Sequence, residues 1–159
     1  MPDIPALLER FRRGPELLAV VLTGVFGEEE DFAPPGKWST RQIVAHLADA
    51  ELVAAHRFRQ MLAEDNPTLV AFDQDKWTAN LDYGKRKPKQ SLETFRRVRA
   101  ENYDLLKDMP PAAFERTGNH TERGKISVLN LLEGMAEHAE SHARQLQALR
   151  EAYKSRKKS

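Results

Sequence analysis

The spacing of apolar residues constrains the fold of this chain more than any other feature. Apolar side chains recur three and four positions apart along most of the sequence, and strict alternation is almost absent. Such spacing places them on one face of an α-helix rather than on one face of a β-strand. The chain is therefore predicted to be all-α, with no strand.

Four amphipathic helices are predicted, separated by stretches that contain proline or glycine. The second has the clearest start, because Ser39 can cap it while Gln42 reaches back to the Ser39 backbone. A connection of residues 65–89, long for a compact domain, joins the second helix to the third. The predicted helices span residues 4–26 with a break at Gly14-Pro15, 39–64, 91–107 and 127–153.

Four helices of this length bury their apolar faces most simply in a four-helix bundle. The long second-to-third connection allows a crossover instead of a simple up-and-down order. At 159 residues the chain suits one domain with its own core. Residues 1–153 are predicted to form that domain, followed by a basic tail of residues 154–159 that is expected to be solvated.

Composition excludes several classes of function. The chain has no cysteine, which excludes disulfides and cysteine nucleophiles, so any metal must take nitrogen or oxygen ligands. A net charge of +1, from 25 basic and 24 acidic residues, argues against nucleic acid or an anionic membrane as a partner. No signal-peptide pattern and no long apolar run are visible, and a cytoplasmic location is expected.

Three histidines are predicted to face the core. His138 and His142 lie four positions apart on the inward stripe of the fourth helix, and His46 lies on the inward stripe of the second. A buried ring nitrogen without a partner costs about 1 to 3 kcal/mol, so the core must supply partners. A divalent metal would bind all three and leave a coordination position open for water or substrate. Separate hydrogen bonds within the core are the alternative.

Three further polar residues lie near these histidines on the predicted helices and loops. Asp49, three positions after His46, could orient a histidine or act as a base, with an exposed helical carboxylate as the alternative. Arg57 could bind an anionic substrate, or pair with Asp49 or Glu64. His120 could hang over the mouth of the site, or lie on the surface of a loop.

Two separated motifs add a specific resemblance. The segments KWSTRQIVAHLADAE (37–51) and HTERGKISVLNLLEGMAEHAESHARQLQAL (120–149) resemble the DinB/YfiT-like superfamily, which has an early W-S-x-x-x-x-x-x-H-L and a late H-x-x-x-H-x-x-Q. The match covers nearly the whole chain in order and length. The resemblance implies a four-helix bundle with a crossover. It also implies one divalent metal, commonly zinc or nickel, bound by His46, His138 and His142.

The same resemblance suggests an activity, since some members of the superfamily transfer low-molecular-weight thiols such as bacillithiol or mycothiol to electrophiles. It implies a metal-dependent thiol S-transferase with the thiol as a second cofactor, although the sequence shows no separate thiol-binding signature. From their positions, Asp49 could manage a proton, and Arg57 or Arg144 could hold a carboxylate of the thiol. The alternative is a non-catalytic, metal-stabilised stress-response or structural protein. A homodimer is expected, with Trp77 in the long connection offering a surface.

Overall fold

The computed structural model of the protein describes residues 2–156. In this part of the chain, seven α-helices and three short strands follow one another. The helices are α1 (Ile4–Arg12), α2 (Gly14–Val21), α3 (Glu28–Asp31), α4 (Thr40–Ala63), α5 (Gln74–Asn80), α6 (Pro88–Leu106) and α7 (Val128–Arg156). The strands are β1 (Thr68–Leu69), β2 (Thr117–His120) and β3 (Gly124–Ser127).

The start of α4 confirms the predicted capping box. The Ser39 hydroxyl accepts a hydrogen bond from the Gln42 backbone N–H at 3.2 Å, and the Gln42 side chain accepts one from the Ser39 N–H at 2.9 Å. These reciprocal bonds satisfy two donors that a helix start would otherwise leave without partners. They fix where α4 begins, and therefore the depth at which its later residues enter the core.

The first predicted helix is correct in its break but not in its length. It divides into α1 and α2 beside Gly14-Pro15, as expected. The predicted continuation to Phe26 is wrong, because α2 ends at Val21. Gly24 has a φ of 79°, in the left-handed region that a right-handed helix cannot contain. Phe26 lies beyond this turn and is largely exposed.

The bundle consists of α1 with α2, α4, α6 and α7, and it contains the expected crossover. Near the start of α4, Arg41 donates a hydrogen bond to the Arg86 carbonyl, just before α6 begins. Near the end of α4, Arg59 donates to the Asn102 side chain, near the end of α6. The two helices therefore run parallel, and the chain between them returns along the length of the bundle.

The prediction that the chain has no strand is wrong in detail. β1 pairs in parallel with β2, and β2 pairs with β3 as an antiparallel hairpin, in the order β1-β2-β3. The hairpin lies in the stretch between the third and fourth predicted helices. Strands of two and four residues are too short to show an alternating pattern, and β1 finds its partner about 50 positions away.

The core has two apolar clusters with a buried polar layer between them. In this layer Arg99 of α6, 1% exposed, donates to both carboxylate oxygens of Glu51 at 2.8 and 2.9 Å. It also donates to the backbone carbonyls of Phe11 and Met135. A Cβ on Gly14 would lie 2.7 Å from the Arg99 guanidinium, so the break between α1 and α2 also makes room for this side chain.

At the end of the chain, α7 continues as far as Arg156. The first three residues of the predicted basic tail are thus helical, and residues 157–159 lie outside the described residues. Within residues 2–156, every helix is too short or too polar to cross a membrane.

Candidate functional site

Three histidine side chains meet between α4 and α7. The Nε2 atom of His138 lies 3.0 Å from the Nε2 of His46 and 3.1 Å from the Nε2 of His142. One ligand nitrogen from each ring lies within 4.8 Å of the others. Nitrogens bound at about 2.0 to 2.1 Å to one tetrahedral ion would be about 3.3 Å apart. The three side chains are therefore spaced as ligands of a single metal would be.

Hydrogen bonds alone do not account for this convergence. A neutral imidazole nitrogen carries either one proton or one in-plane lone pair, so the Nε2 of His138 cannot form well-aligned bonds to both neighbours. Burial lowers the pKa of His46 to about 4 and that of His138 to about 3, with repulsion from the neighbouring rings adding to the effect. Burial also lowers the pKa of His142. At neutral pH all three rings are uncharged, which is the form that binds a metal.

Gln145 fixes the proton of His142 on the nitrogen that faces away from the cluster. The Gln145 side-chain oxygen lies 2.7 Å from the Nδ1 of His142. Because an amide oxygen only accepts, Nδ1 must donate, and the lone pair is left on Nε2, towards the other histidines. This glutamine is the last residue of the H-x-x-x-H-x-x-Q motif, and no role was predicted for it from sequence. Its position one helical turn after His142 was the available signal.

His46 and His138 are held mainly by packing. The ring of Trp38 lies against the ring of His46, with 5.2 Å between centroids, and shields it on the side of the α4 start. The Nδ1 of His138 is buried without a hydrogen-bond partner among residues 2–156. The ring of His138 is therefore oriented by its apolar surroundings rather than by an acceptor.

Asp49 is buried beside His46, so the alternative of an exposed helical carboxylate is wrong. Its carboxylate accepts a 2.7 Å hydrogen bond from the Tyr83 hydroxyl and a 3.2 Å bond from Arg86. Burial and then this hydrogen bond raise the pKa of Tyr83. Both partners come from the long connection, and sequence analysis did not identify them. They hold the carboxylate that was predicted to orient a histidine or act as a base.

The two arginines predicted to bind the thiol lie in different places. Arg57 lines a cavity beside His46 and His138, and its guanidinium donates to the Val70 carbonyl at 2.8 Å. It does not pair with Asp49 or Glu64, so that alternative is wrong. Arg144 is exposed on α7 and forms an ion pair with Glu137. The structure thus brings Arg57 to the histidines, and it does not place Arg144 along this cavity.

His120 neither hangs over the site nor lies on the surface. It is buried in β2, where its Nδ1 accepts hydrogen bonds from the backbone N–H groups of Glu122 and Arg123. Burial lowers its pKa, and the charges of Arg57 and Arg123 add to this effect. His120 therefore shapes the turn that carries Arg123, a cavity-lining residue that sequence analysis missed because its position depends on the hairpin.

Several proteins similar in sequence carry names that refer to metal-dependent chemistry. A protein of Oceanobacillus iheyensis named "putative metal-dependent hydrolase" is 30% identical over 137 residues, which cover 85% of this chain and 78% of that protein. A protein of Bacillus mycoides with the same name is 31% identical over 116 residues, covering 73% of this chain and 66% of its own length.

The fold is similar to that of YfiT from Bacillus subtilis, a protein described as a probable metal-dependent hydrolase with an unusual four-helix bundle topology. The TM-score is 0.88 over 94% of this chain and 86% of that chain, at 22% sequence identity. This likeness confirms the predicted bundle. The sequence profile of the DinB superfamily matches residues 10–146, which include all three clustered histidines. The chain belongs to the DinB superfamily, as its two separated motifs indicated.

Proposed function

We propose that the protein is a metal-dependent enzyme in which His46, His138 and His142 hold one divalent transition metal, zinc or nickel. The main support for this proposal is the convergence of three uncharged imidazole rings. The Nε2 atoms of His46 and His142 lie 3.0 and 3.1 Å from the Nε2 of His138. Imidazole ligands suit both metals. When bound by three imidazoles, such a metal lowers the pKa of a water or thiol at its open position and so supplies a nucleophile.

We propose further that the nucleophile is a low-molecular-weight thiol, transferred to a small electrophile. A thiol ionises with a pKa of about 8.5, far more readily than free water, so it needs less help from a protein base. Asp49, the nearest carboxylate along α4, is already bonded to Tyr83 and Arg86. A bonded carboxylate is a poor base for activating water, so this observation favours a thiol as the nucleophile. Asp49 could still transfer a proton, but only after breaking its bonds to Tyr83 and Arg86.

Hydrolysis is the second candidate, and the names of the relatives favour it. The alignments span about two-thirds to four-fifths of the length of those relatives, and we propose hydrolysis for this chain on the basis of their names. The non-catalytic alternative is a metal that only stabilises the bundle, as a ligand that binds the folded state does by mass action. In all three cases the same histidines hold the metal, and only the assay separates the cases.

One set of assays tests these possibilities on the untagged, zinc- or nickel-loaded protein. A model electrophile such as monochlorobimane is offered with bacillithiol, mycothiol or glutathione, and p-nitrophenyl acetate is offered without thiol. His138→Ala should lose both the metal and the thiol-dependent product. His56→Ala is the matched control, because His56 is exposed on α4 away from the cluster. We expect it to keep both.

The outcomes are distinct. Thiol-dependent turnover that His138→Ala removes supports the transferase. Ester cleavage without thiol, lost in the same variant, replaces it with hydrolysis. A metal that raises the melting temperature without any turnover contradicts both enzymatic proposals. The expected homodimer and the cytoplasmic location stay predictions, and sedimentation of the full chain would test the first.

A further inference from the structure

A small cavity lies directly beside the histidine cluster. Its volume is about 190 Å³, and His46 and His138 form part of its wall. Leu131 and Met135 of α7 supply an apolar side. Pockets for drug-sized ligands are about 300 to 1,000 Å³, so this cavity suits a small group of a few heavy atoms next to the metal position.

Two guanidinium groups line this cavity without a carboxylate to balance them. Arg57, on α4, is only 8% exposed, and its one hydrogen bond to another described residue goes to a neutral backbone carbonyl, that of Val70. Arg123, on the turn between β2 and β3, is exposed at the rim. Neither forms an ion pair within residues 2–156. Burial and then the charge of Arg123 lower the pKa of Arg57, so the two positive charges repel each other across the cavity that both side chains line.

The exposed side of the cavity includes a glycine. Gly134 lies in α7, one helical turn before His138, and it is exposed along the cavity rim. A Cβ built at this position would meet no atom within 4 Å. Glycine weakens a helix relative to alanine, and nothing in the packing requires it here. A larger side chain at this position would have room to extend over the exposed side of the cavity.

We infer that this cavity binds an anionic group, a carboxylate or phosphate, of a small-molecule substrate between Arg57 and Arg123. Guanidinium groups match the shape and charge of both anions and can bind them through two hydrogen bonds. Bound there, the anion would relieve the repulsion between the two arginines. It would also place the rest of the molecule against the histidines. The inference rests on the proposed function only in taking the histidines as the reactive end.

The anion can come from either reactant of the proposed reaction. A thiol cofactor that carries a carboxylate would be oriented with its sulfur towards the histidines. An anionic electrophile would be oriented with its reactive carbon there. The aromatic ring of Phe72, which lies 6.0 Å from the Arg57 guanidinium and packs at a tilt against Trp77, forms part of the cavity wall. It favours a small anion rather than a polymer.

Binding is tested first without metal, so that it does not depend on the proposed function. The full chain, treated with a chelator, is titrated with inorganic phosphate and with succinate by calorimetry. We expect both anions to bind, and Arg57→Gln and Arg123→Gln each to weaken binding at least tenfold. Arg144→Gln is the matched control, because Arg144 is an exposed arginine paired with Glu137 on the outer face of α7. It should bind as the unaltered protein does.

Two variants distinguish a loss of anion binding from a loss of folding. Arg123 is exposed on a turn, so its substitution should leave the melting temperature unchanged. Gly134→Leu places bulk on the exposed side of the cavity without removing a charge, and it should weaken the binding of both anions while the helix becomes no less stable. Absence of anion binding, or equal binding in the Arg57, Arg123 and Arg144 variants, would overturn the inference even if the metal-loaded enzyme is active.

If turnover is found, the source of the anion follows from kinetics. Arg57→Gln should raise the KM for one reactant and leave metal content unchanged. A higher KM for the thiol assigns the anion to the cofactor, and a higher KM for the electrophile assigns it to the substrate. A fall in kcat with both KM values unchanged would contradict a binding role for these arginines.

Discussion

Replacing Gln145 by leucine tests whether the histidine cluster is arranged for a metal. His142 donates a 2.7 Å hydrogen bond from its Nδ1 to the Gln145 side-chain oxygen, which holds the His142 proton on Nδ1 and leaves the lone pair on Nε2. Leucine has a side chain of similar size, but it cannot accept a hydrogen bond from the His142 N–H. Loss of such a supporting partner typically weakens metal affinity about 10- to 100-fold, or about 1.4 to 2.7 kcal/mol. Zinc or nickel affinity, measured by competition with a chromogenic chelator, should fall by this amount.

The same change should appear in thermal unfolding. With free metal at about 100 times the dissociation constant of the unaltered protein, binding adds about 2.7 kcal/mol of stability. In Gln145→Leu the gain at that metal concentration should be about 0.4 to 1.4 kcal/mol. For a chain of this length, 1 kcal/mol corresponds to about 2 to 4 °C. A metal-induced rise of about 5 to 11 °C should therefore shrink to about 1 to 6 °C.

A second glutamine on the same helix provides the control. Gln147 is exposed, and its side-chain amide donates a hydrogen bond to Glu151 and forms no hydrogen bond with a histidine among residues 2–156. Gln147→Leu should bind metal as tightly as the unaltered protein. If Gln145→Leu also keeps full affinity, or if metal leaves the melting temperature of the unaltered protein unchanged, the assignment of the His142 nitrogens is wrong.

Two further predictions concern buried ionisable groups. Glu51→Gln leaves the Arg99 guanidinium buried without its carboxylate, which should cost about 3 to 5 kcal/mol in urea unfolding, and a loss below about 1 kcal/mol would contradict the importance of this pair. In metal-free protein the pKa values of His46 and His138 are about 4 and 3, below the usual 6.5. At a pH between the usual value of 6.5 and these lowered values, the unfolded chain binds more protons than the folded one. The free energy of unfolding should therefore fall as pH falls from 6.5 towards 4, by up to about 1.4 kcal/mol per pH unit for each histidine. Melting temperatures at pH 7 and pH 5 measure this, and a pH dependence that is unchanged in His46→Ala would refute the stated cause.

The helices could be predicted from sequence because the interactions that define them are local. The capping box of α4 joins residues three positions apart, and proline and glycine mark the break beside Gly14. The sheet could not be predicted in the same way. Thr68 and Leu69 form a strand only through pairing with Asn119 and His120, which lie about 50 positions later in the sequence.

The histidines could be predicted for the same reason as the helices. His138 and His142 lie on adjacent turns of one helix, and His46 lies on the apolar face of another. The residues that complete the site mostly come from loops. Tyr83 reaches Asp49 from the long connection, as does Arg86 next to it, and no helical spacing indicates where such a segment returns.

Two buried arginines show how contacts separate a structural residue from a functional one. Sequence alone gives both the same signal, a basic side chain on an inward face of a helix. Arg99 has Glu51 and two backbone carbonyls as partners, so its burial is compensated within the fold.

Arg57 is almost as buried, yet it has one carbonyl partner, a like charge nearby in Arg123, and a cavity in front of it. An uncompensated buried charge costs several kcal/mol, so a fold that needs Arg57 only for packing would gain stability from an apolar residue at this position. Arg57→Met should therefore be at least as stable as the unaltered protein while losing anion binding. Arg99→Met, which leaves Glu51 buried without its partner, should be strongly destabilised. If Arg57→Met were instead as unstable as Arg99→Met, Arg57 would be a structural residue, and the partner that balances its charge would have to come from the fold itself.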